Sequence, residues 1–189
     1  MTKAEGVIKY RLDYVPSALP GDADVEGLMR WFRRCRERGL IGRDPERYDG
    51  YAYGNISVRA QRGFVISGTQ TGGEPALTRD QLAWVVDFNV AEDRLQAGGP
   101  MRPSSEAMSH GQVYRALPHA GAVIHVHSPL LWRSAGVLGL ATTAPSAAYG
   151  TPAMAAEVHE LLLADLRHSG RVFAMGGHED GIVAYGSNI

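Results

Sequence analysis

The chain of 189 residues is long enough for one domain with a substantial core, and its 44% hydrophobic and 21% charged residues match an ordinary globular protein. Its formal net charge of −1 gives no reason to expect a nucleic-acid or anionic-membrane partner. Cys35 is the single cysteine, which excludes an internal disulfide framework; with no signal peptide and no apolar run near the ~20 residues of a membrane span, a cytoplasmic location is expected.

Residues up to about Gly21 carry an apolar tract without clear periodicity and read as an arm or an edge strand, which sets an expected division into an arm (1–23) and one domain (24–189). From Asp24, Leu28, Trp31, Phe32 and Cys35 recur at helical spacing, and an acidic start with Arg33, Arg34, Arg36 and Arg38 toward the end suits the helix dipole. Those arginines read as a solvated or intersubunit face. Asn55–Arg59 and Gly63–Ser67 are short strand-like runs around a polar turn, as in a hairpin. Thr78 with Gln81 resembles a capping box, and Trp84–Val90 reads as a strand. Ser104 or Ser105 is the expected cap of a helix from about Glu106 to Leu117, and Ser128-Pro129 and Thr151-Pro152 each signal a further helix start. A last strand pair, Arg171–Ala174 and Gly181–Tyr185, brackets Gly176-Gly177-His178. The sum predicts an α/β sandwich of short strands and covering helices.

The most informative feature is His125-Val126-His127, at the end of the apolar run 120–124. Side chains alternate faces along a strand, so both imidazoles project from one side and can address one point. Two adjacent desolvated imidazoles need two sets of partners, which favours metal chelation over ordinary core packing. Imidazole donors suit zinc first, then other divalent transition metals. A mononuclear site needs a third ligand. His159 and His168 fall in or just after a polar helix face, and His119 follows Pro118 in a turn. His178 sits in a glycine-rich turn between strands, where backbone freedom lets it reach inward, and is the favoured third ligand.

Glu106 follows Pro103-Ser104-Ser105, so its carboxylate shares one locality with the free N–H groups of a helix start. That locality serves anion binding or simple capping equally well. His110 lies one turn on, positioned to bond the carboxylate or to pack inward. Gly54-Asn55 and Gly68–Gly73 fit either an anion cradle built from backbone donors or ordinary turns.

Taken in order, Gly54-Asn55-Ile56-Ser57, the 66–72 segment, Pro103-Ser104-Ser105-Glu106, the H-x-H strand and His178 resemble the class II aldolase/adducin family over about 24–185. The family includes fuculose-phosphate aldolase, ribulose-phosphate 4-epimerase and methylthioribulose-phosphate dehydratase. The resemblance implies a three-layer α/β/α sandwich with a central, mostly antiparallel sheet. It implies a zinc ion on His125, His127 and His178, and Glu106 as acid/base or fourth ligand. A substrate phosphate would be held by Asn55, Thr71, Gly72, Ser104 and Ser105. The expected activity is that of a zinc-dependent lyase or isomerase on a small hydroxy-ketone or sugar-phosphate-like substrate, passing through a metal-stabilised enediolate. The expected assembly is a homo-oligomer, a tetramer, with no nucleic-acid or membrane partner. A non-catalytic scaffold of the adducin kind is the alternative, and retention of all three histidines and the glutamate ranks it second.

Three departures stand out. Ala52 occupies the place of a family threonine, His178 is followed by Glu179 where glycine is usual, and the loop carrying the aldolases' tyrosine acid has no evident counterpart between His127 and Tyr149. Tyr149 and Tyr53 are the candidates for that role.

Overall fold

The computed structural model describes residues 8–164 and 171–189; His168 and the first seven residues of the expected arm lie outside them. In chain order the elements are β1 (Arg11–Tyr14), α1 (Val25–Glu37), β2 (Gly42–Arg43), β3 (Ala52–Tyr53), β4 (Asn55–Arg59), β5 (Phe64–Ser67), β6 (Leu82–Asn89) and β7 (Arg94–Gly98). They continue with α2 (Ala107–Ala116), β8 (Ala122–His127), α3 (Pro129–Arg133), β9 (Ala141–Thr142), α4 (Pro152–Ala164), β10 (Val172–Ala174) and β11 (Gly181–Gly186).

Nine strands form one sheet in the order β1-β7-β6-β5-β4-β8-β11-β10-β9. All neighbours are antiparallel except the outermost pairs, β1 with β7 and β9 with β10. The tract before Gly21 therefore supplies an edge strand. Two core clusters follow from the period of two along the strands. On one face α2 and α4 bury Met108, Val113, Met154 and Val158 against Phe64, Val85, Val123 and Val183. On the other, α1 buries Leu28, Phe32 and Cys35 against Ile56, Val65 and Ile182. Helices thus cover both faces, and the architecture is the expected three-layer α/β/α sandwich.

The helix starts show how local chemistry sets the layers. Asp24 caps α1 by accepting the Gly27 N–H at 2.8 Å, and Ser128 accepts from Leu131 with Pro129 at the first helical position. Thr78 and Gln81 form the expected capping box, though on a single 3₁₀ turn. The expected serine cap of α2 is displaced. Glu106 occupies the position before the helix, and Ser104 Oγ accepts the Glu106 N–H from outside it, at 3.4 Å. Pro103 is held by a bridge to Gly68, which keeps both serines in the segment leading to the helix. The arginines of α1 also differ from a purely solvated face: Arg36 donates to the carbonyls of Ile41 at 3.0 Å and Glu74 at 2.9 Å, tying α1 to the 68–74 loop.

Among the described residues no helix is long and apolar enough to cross a membrane.

Candidate metal centre and substrate cleft

Strand alternation places His125 and His127 with Val123 on the α2 side of the sheet, while Ala122, Ile124 and Val126 face α1. β11 pairs with β8 so that Gly181 lies opposite His127 and Val183 opposite His125. The tight turn entering β11 then carries His178 back over the same face. Two glycines make that turn fit: a Cβ on Gly177 would lie 1.8 Å from the Ala147 carbonyl, and one on Gly176 2.2 Å from that of Thr143. The three imidazoles are buried, and one nitrogen from each lies within 4.8 Å of the other two.

Glu106, at the start of α2, faces this triad. Its Oε2 is 3.0 Å from His125 Nε2 and its Oε1 is 2.8 Å from His178 Nδ1. His125 Nδ1 lies 3.2 Å from the Ile182 carbonyl, which can only accept. With Nδ1 donating there, Nε2 either carries a proton that it shares with the carboxylate or turns a lone pair toward it, an arrangement that an intervening cation relieves. The donor set of three buried histidines fits a divalent transition metal, zinc foremost.

Electrostatics support the same chemistry. Burial opposes ionisation of Glu106, but the adjacent His125 and His178 outweigh it and hold the carboxyl well below the usual carboxylate range. Burial, reinforced by His178 and His125, pushes His127 well below the usual imidazole range, so it is neutral as a metal ligand must be. His110 packs inward, its Nδ1 2.7 Å from Ser57 Oγ, and burial with the nearby His125 lowers its pKa to about 3. It does not bond the Glu106 side chain. Among the other histidines weighed from sequence, His119 is exposed and His159 is half-buried on α4.

One narrow cleft brings the sequence-derived candidates together: Asn55, Thr71, Gly72, Ser104 and Ser105 line it with Glu106 and the three histidines. Asn55 Oδ1 is buried without a hydrogen-bond partner among the described residues. The Thr71 hydroxyl donates to the Gly68 carbonyl at 2.8 Å, fixing the turn. Gly72 is required by proximity, since a Cβ there would lie 2.6 Å from the Tyr53 carbonyl. Tyr53 and Tyr149 both line the cleft. Tyr149 stacks on His178 with ring centroids 4.5 Å apart, and Lys9 Nζ sits 3.4 Å above the Tyr149 ring.

Sequence reasoning missed Arg47 and Tyr48. The Tyr48 hydroxyl donates to Asp180 Oδ2 at 2.6 Å, Arg47 pairs with the same oxygen at 2.9 Å, and the Tyr48 ring meets His127 edge-on at 4.5 Å. No local pattern signals a contact spanning 132 residues.

Helices on both faces of a mixed sheet and a histidine-lined cleft are the frame of one family, and the chain belongs to it: the model of the class II aldolase and adducin N-terminal domain matches residues 44–189. The chain is 37% identical over 78 residues to methylthioribulose-1-phosphate dehydratase of Xanthomonas euvesicatoria pv. vesicatoria, covering 38% of this chain and 34% of that protein. It is 48% identical over 46 residues to the protein of that name from Stenotrophomonas maltophilia, covering 24% and 20%. The match thus spans about a third of the first relative's length. In fold the chain is similar to L-fuculose-1-phosphate aldolase from Thermus thermophilus, with a TM-score of 0.63, 22% identity and coverage of 87% of this chain and 79% of that one. It is also similar to a sugar-phosphate aldolase from Thermotoga maritima, with a TM-score of 0.52, 14% identity and coverage of 85% and 86%.

Proposed function

We propose that the chain is a divalent-metal-dependent lyase or isomerase acting on a small hydroxy-ketone or sugar-phosphate-like substrate. His125, His127 and His178 would hold the metal, zinc foremost, and Glu106 would move the proton. The observation that carries the proposal is the convergence of three buried imidazoles and one buried carboxylate on the cleft that Asn55 and Ser104-Ser105 also line. When bound, zinc supplies Lewis acidity to an adjacent carbonyl and hydroxyl.

The chain's own groups do the rest. Glu106, ionised and facing two of the imidazoles, takes a proton from substrate carbon or oxygen and returns it. Asn55, with a buried Oδ1 free to pair, orients the polar end of the substrate, and the 68–72 turn with Ser104 and Ser105 receives its anionic end. Tyr149, which stacks on His178, or Tyr53, the other phenol lining the cleft, would protonate a leaving fragment. These residues suit aldol cleavage, epimerisation, dehydration and decarboxylation alike. A scaffold role would not need an ionised carboxylate desolvated against imidazoles, which favours the enzyme over an adducin-like binding domain.

The proposed assembly is a homotetramer. Leu130, Leu131, Val137 and Leu138 are exposed just beyond β8 and support a contact between copies. The proposed compartment is the cytoplasm, where Cys35 stays reduced.

Metal analysis of the purified chain combined with Glu106→Gln tests the reading. The expected result is about one zinc per chain in both proteins, and turnover of a hydroxy-ketone or sugar-phosphate panel by the parent alone. A parent without metal, or a Glu106→Gln variant as active as the parent, would reject it.

A further inference from the structure

The segment before β3 carries an unusual backbone. Tyr48, Asp49 and Gly50 adopt φ of 51°, 54° and 73° in succession. A left-handed conformation suits glycine and is tolerated by aspartate, but it is a genuine outlier for an aromatic residue. Asp180, in the turn between His178 and β11, is also left-handed, with φ of 63°, and only 3% exposed. Two such residues, far apart in sequence, meet in one hydrogen bond: Tyr48 donates to Asp180 Oδ2 at 2.6 Å. Such strain persists where surrounding contacts over-determine it.

Those contacts are identifiable. Arg47 Nη2 pairs with Asp180 Oδ2 at 2.9 Å and also donates to the Tyr48 hydroxyl, while its guanidinium lies 4.7 Å from the centroid of the Tyr48 ring. Held in this way, the Tyr48 ring stands edge-on to His127, with centroids 4.5 Å apart and planes at 81°. Tyr53 lies against the same imidazole at 5.1 Å. At its other end the latch anchors the turn that presents His178. One hydrogen bond therefore joins the wall behind one histidine of the triad to the turn that delivers another.

We propose that Tyr48 and Asp180 are positioning residues for the metal centre, acting as a latch that fixes the His127 ring and the His178 turn in their chelating geometry. The inference rests on the metal reading above. Neither residue needs to touch the ion. Their contribution is to remove alternative ring and turn orientations before the ion arrives, so that its affinity is not spent on ordering them.

The test measures zinc affinity by competition with a chromophoric chelator for the parent, Tyr48→Phe, Asp180→Asn and the double variant, with circular dichroism of the metal-free proteins as the check on folding. Tyr48→Phe removes one oxygen and keeps the ring that packs on His127. The expected result is zinc binding weakened about tenfold in Tyr48→Phe and at least as much in Asp180→Asn, which also loses the ion pair with Arg47, with the double variant no weaker than Asp180→Asn alone. Single variants that bind zinc as tightly as the parent overturn the latch, as do losses that multiply in the double variant. A parent that binds no zinc overturns the metal reading and the latch with it. Should Asp180→Asn fail to fold, the comparison of Tyr48→Phe with the parent decides the matter.

Discussion

Asn55 and His125 are direct cross-strand partners between β4 and β8, so the amide and the imidazole stand side by side on the α2 face of the sheet. Cross-strand neighbours of this kind have Cβ atoms about 4.5–5.5 Å apart, within reach of one small molecule that touches both. Asn55→Ala is therefore expected to weaken binding of phosphoglycolohydroxamate to the zinc-loaded protein by about 1–2 kcal/mol, roughly tenfold, with zinc content unchanged. Calorimetric titration gives the answer, and equal affinity would remove Asn55 from the substrate site.

Metal binding should appear as stability. A ligand present at about a thousand times its dissociation constant stabilises the folded state by about 4 kcal/mol. Added zinc is expected to raise the thermal midpoint of the parent well above that of the metal-free protein and to leave His127→Ala almost unmoved. A variant that gains as much from zinc as the parent would place the ion elsewhere.

Gly72 offers a test of the turn that lines the cleft. A methyl group there would fall 2.6 Å from the Tyr53 carbonyl and 2.9 Å from that of Gly42, whereas at Gly73 the nearest atom is a side-chain carbon of Arg43 at 3.1 Å. Gly72→Ala must move backbone and is expected to cost about 1–3 kcal/mol in urea denaturation. Gly73→Ala meets Arg43 Cβ at 3.1 Å, a contact that a shift of a few tenths of an ångström relieves, and should cost less; the reverse order would contradict this packing.

His110 predicts a pH dependence. Its pKa falls from an ordinary 6.5 to about 3 in the folded chain, because burial and the neighbouring His125 disfavour the charged ring. Above pH 6.5 both folded and unfolded states hold it neutral; as pH falls, the unfolded chain takes up a proton that the folded chain refuses. Stability is lost progressively from pH 6.5 toward 3, by about 2 kcal/mol between pH 7 and pH 5 from this group alone. Denaturation of the metal-free His110→Gln variant should show a correspondingly shallower decline over that interval, and an unchanged slope would refute the assignment.

What could be read in the residues was whatever has a short period or a local cap. The H-x-H strand, the helical spacing from Asp24 to Cys35, the Ser128 cap and the turn bearing His178 all depend on spacings of a few residues, and the structure has each of them. β7 alternates exposed Arg94 and Gln96 with buried Leu95 and Ala97, but it is five residues long and has no β-branched or aromatic side chain to mark it as a strand. The parallel pairing of β1 with β7 joins residues more than eighty positions apart and leaves no local trace. In the cleft, convergence of Asn55, Glu106 and the histidines was reachable through family likeness. The bond from Tyr48 to Asp180 was not, because a tyrosine carries no sequence mark of a left-handed backbone.

The β8–β11 ladder has a consequence for how this centre can change over time. His125 and His127 are carried by β8, which is bonded to β4 on one side and β11 on the other, so displacing the backbone that bears this pair requires fraying the interior of the sheet. The residues around the mouth of the cleft, on the turn at 68–72 and near Tyr149, belong to loops instead. Substrate preference can therefore drift by loop substitution while the machinery beneath stays intact, and slow amide exchange over 122–127 and 181–186 would be its physical signature.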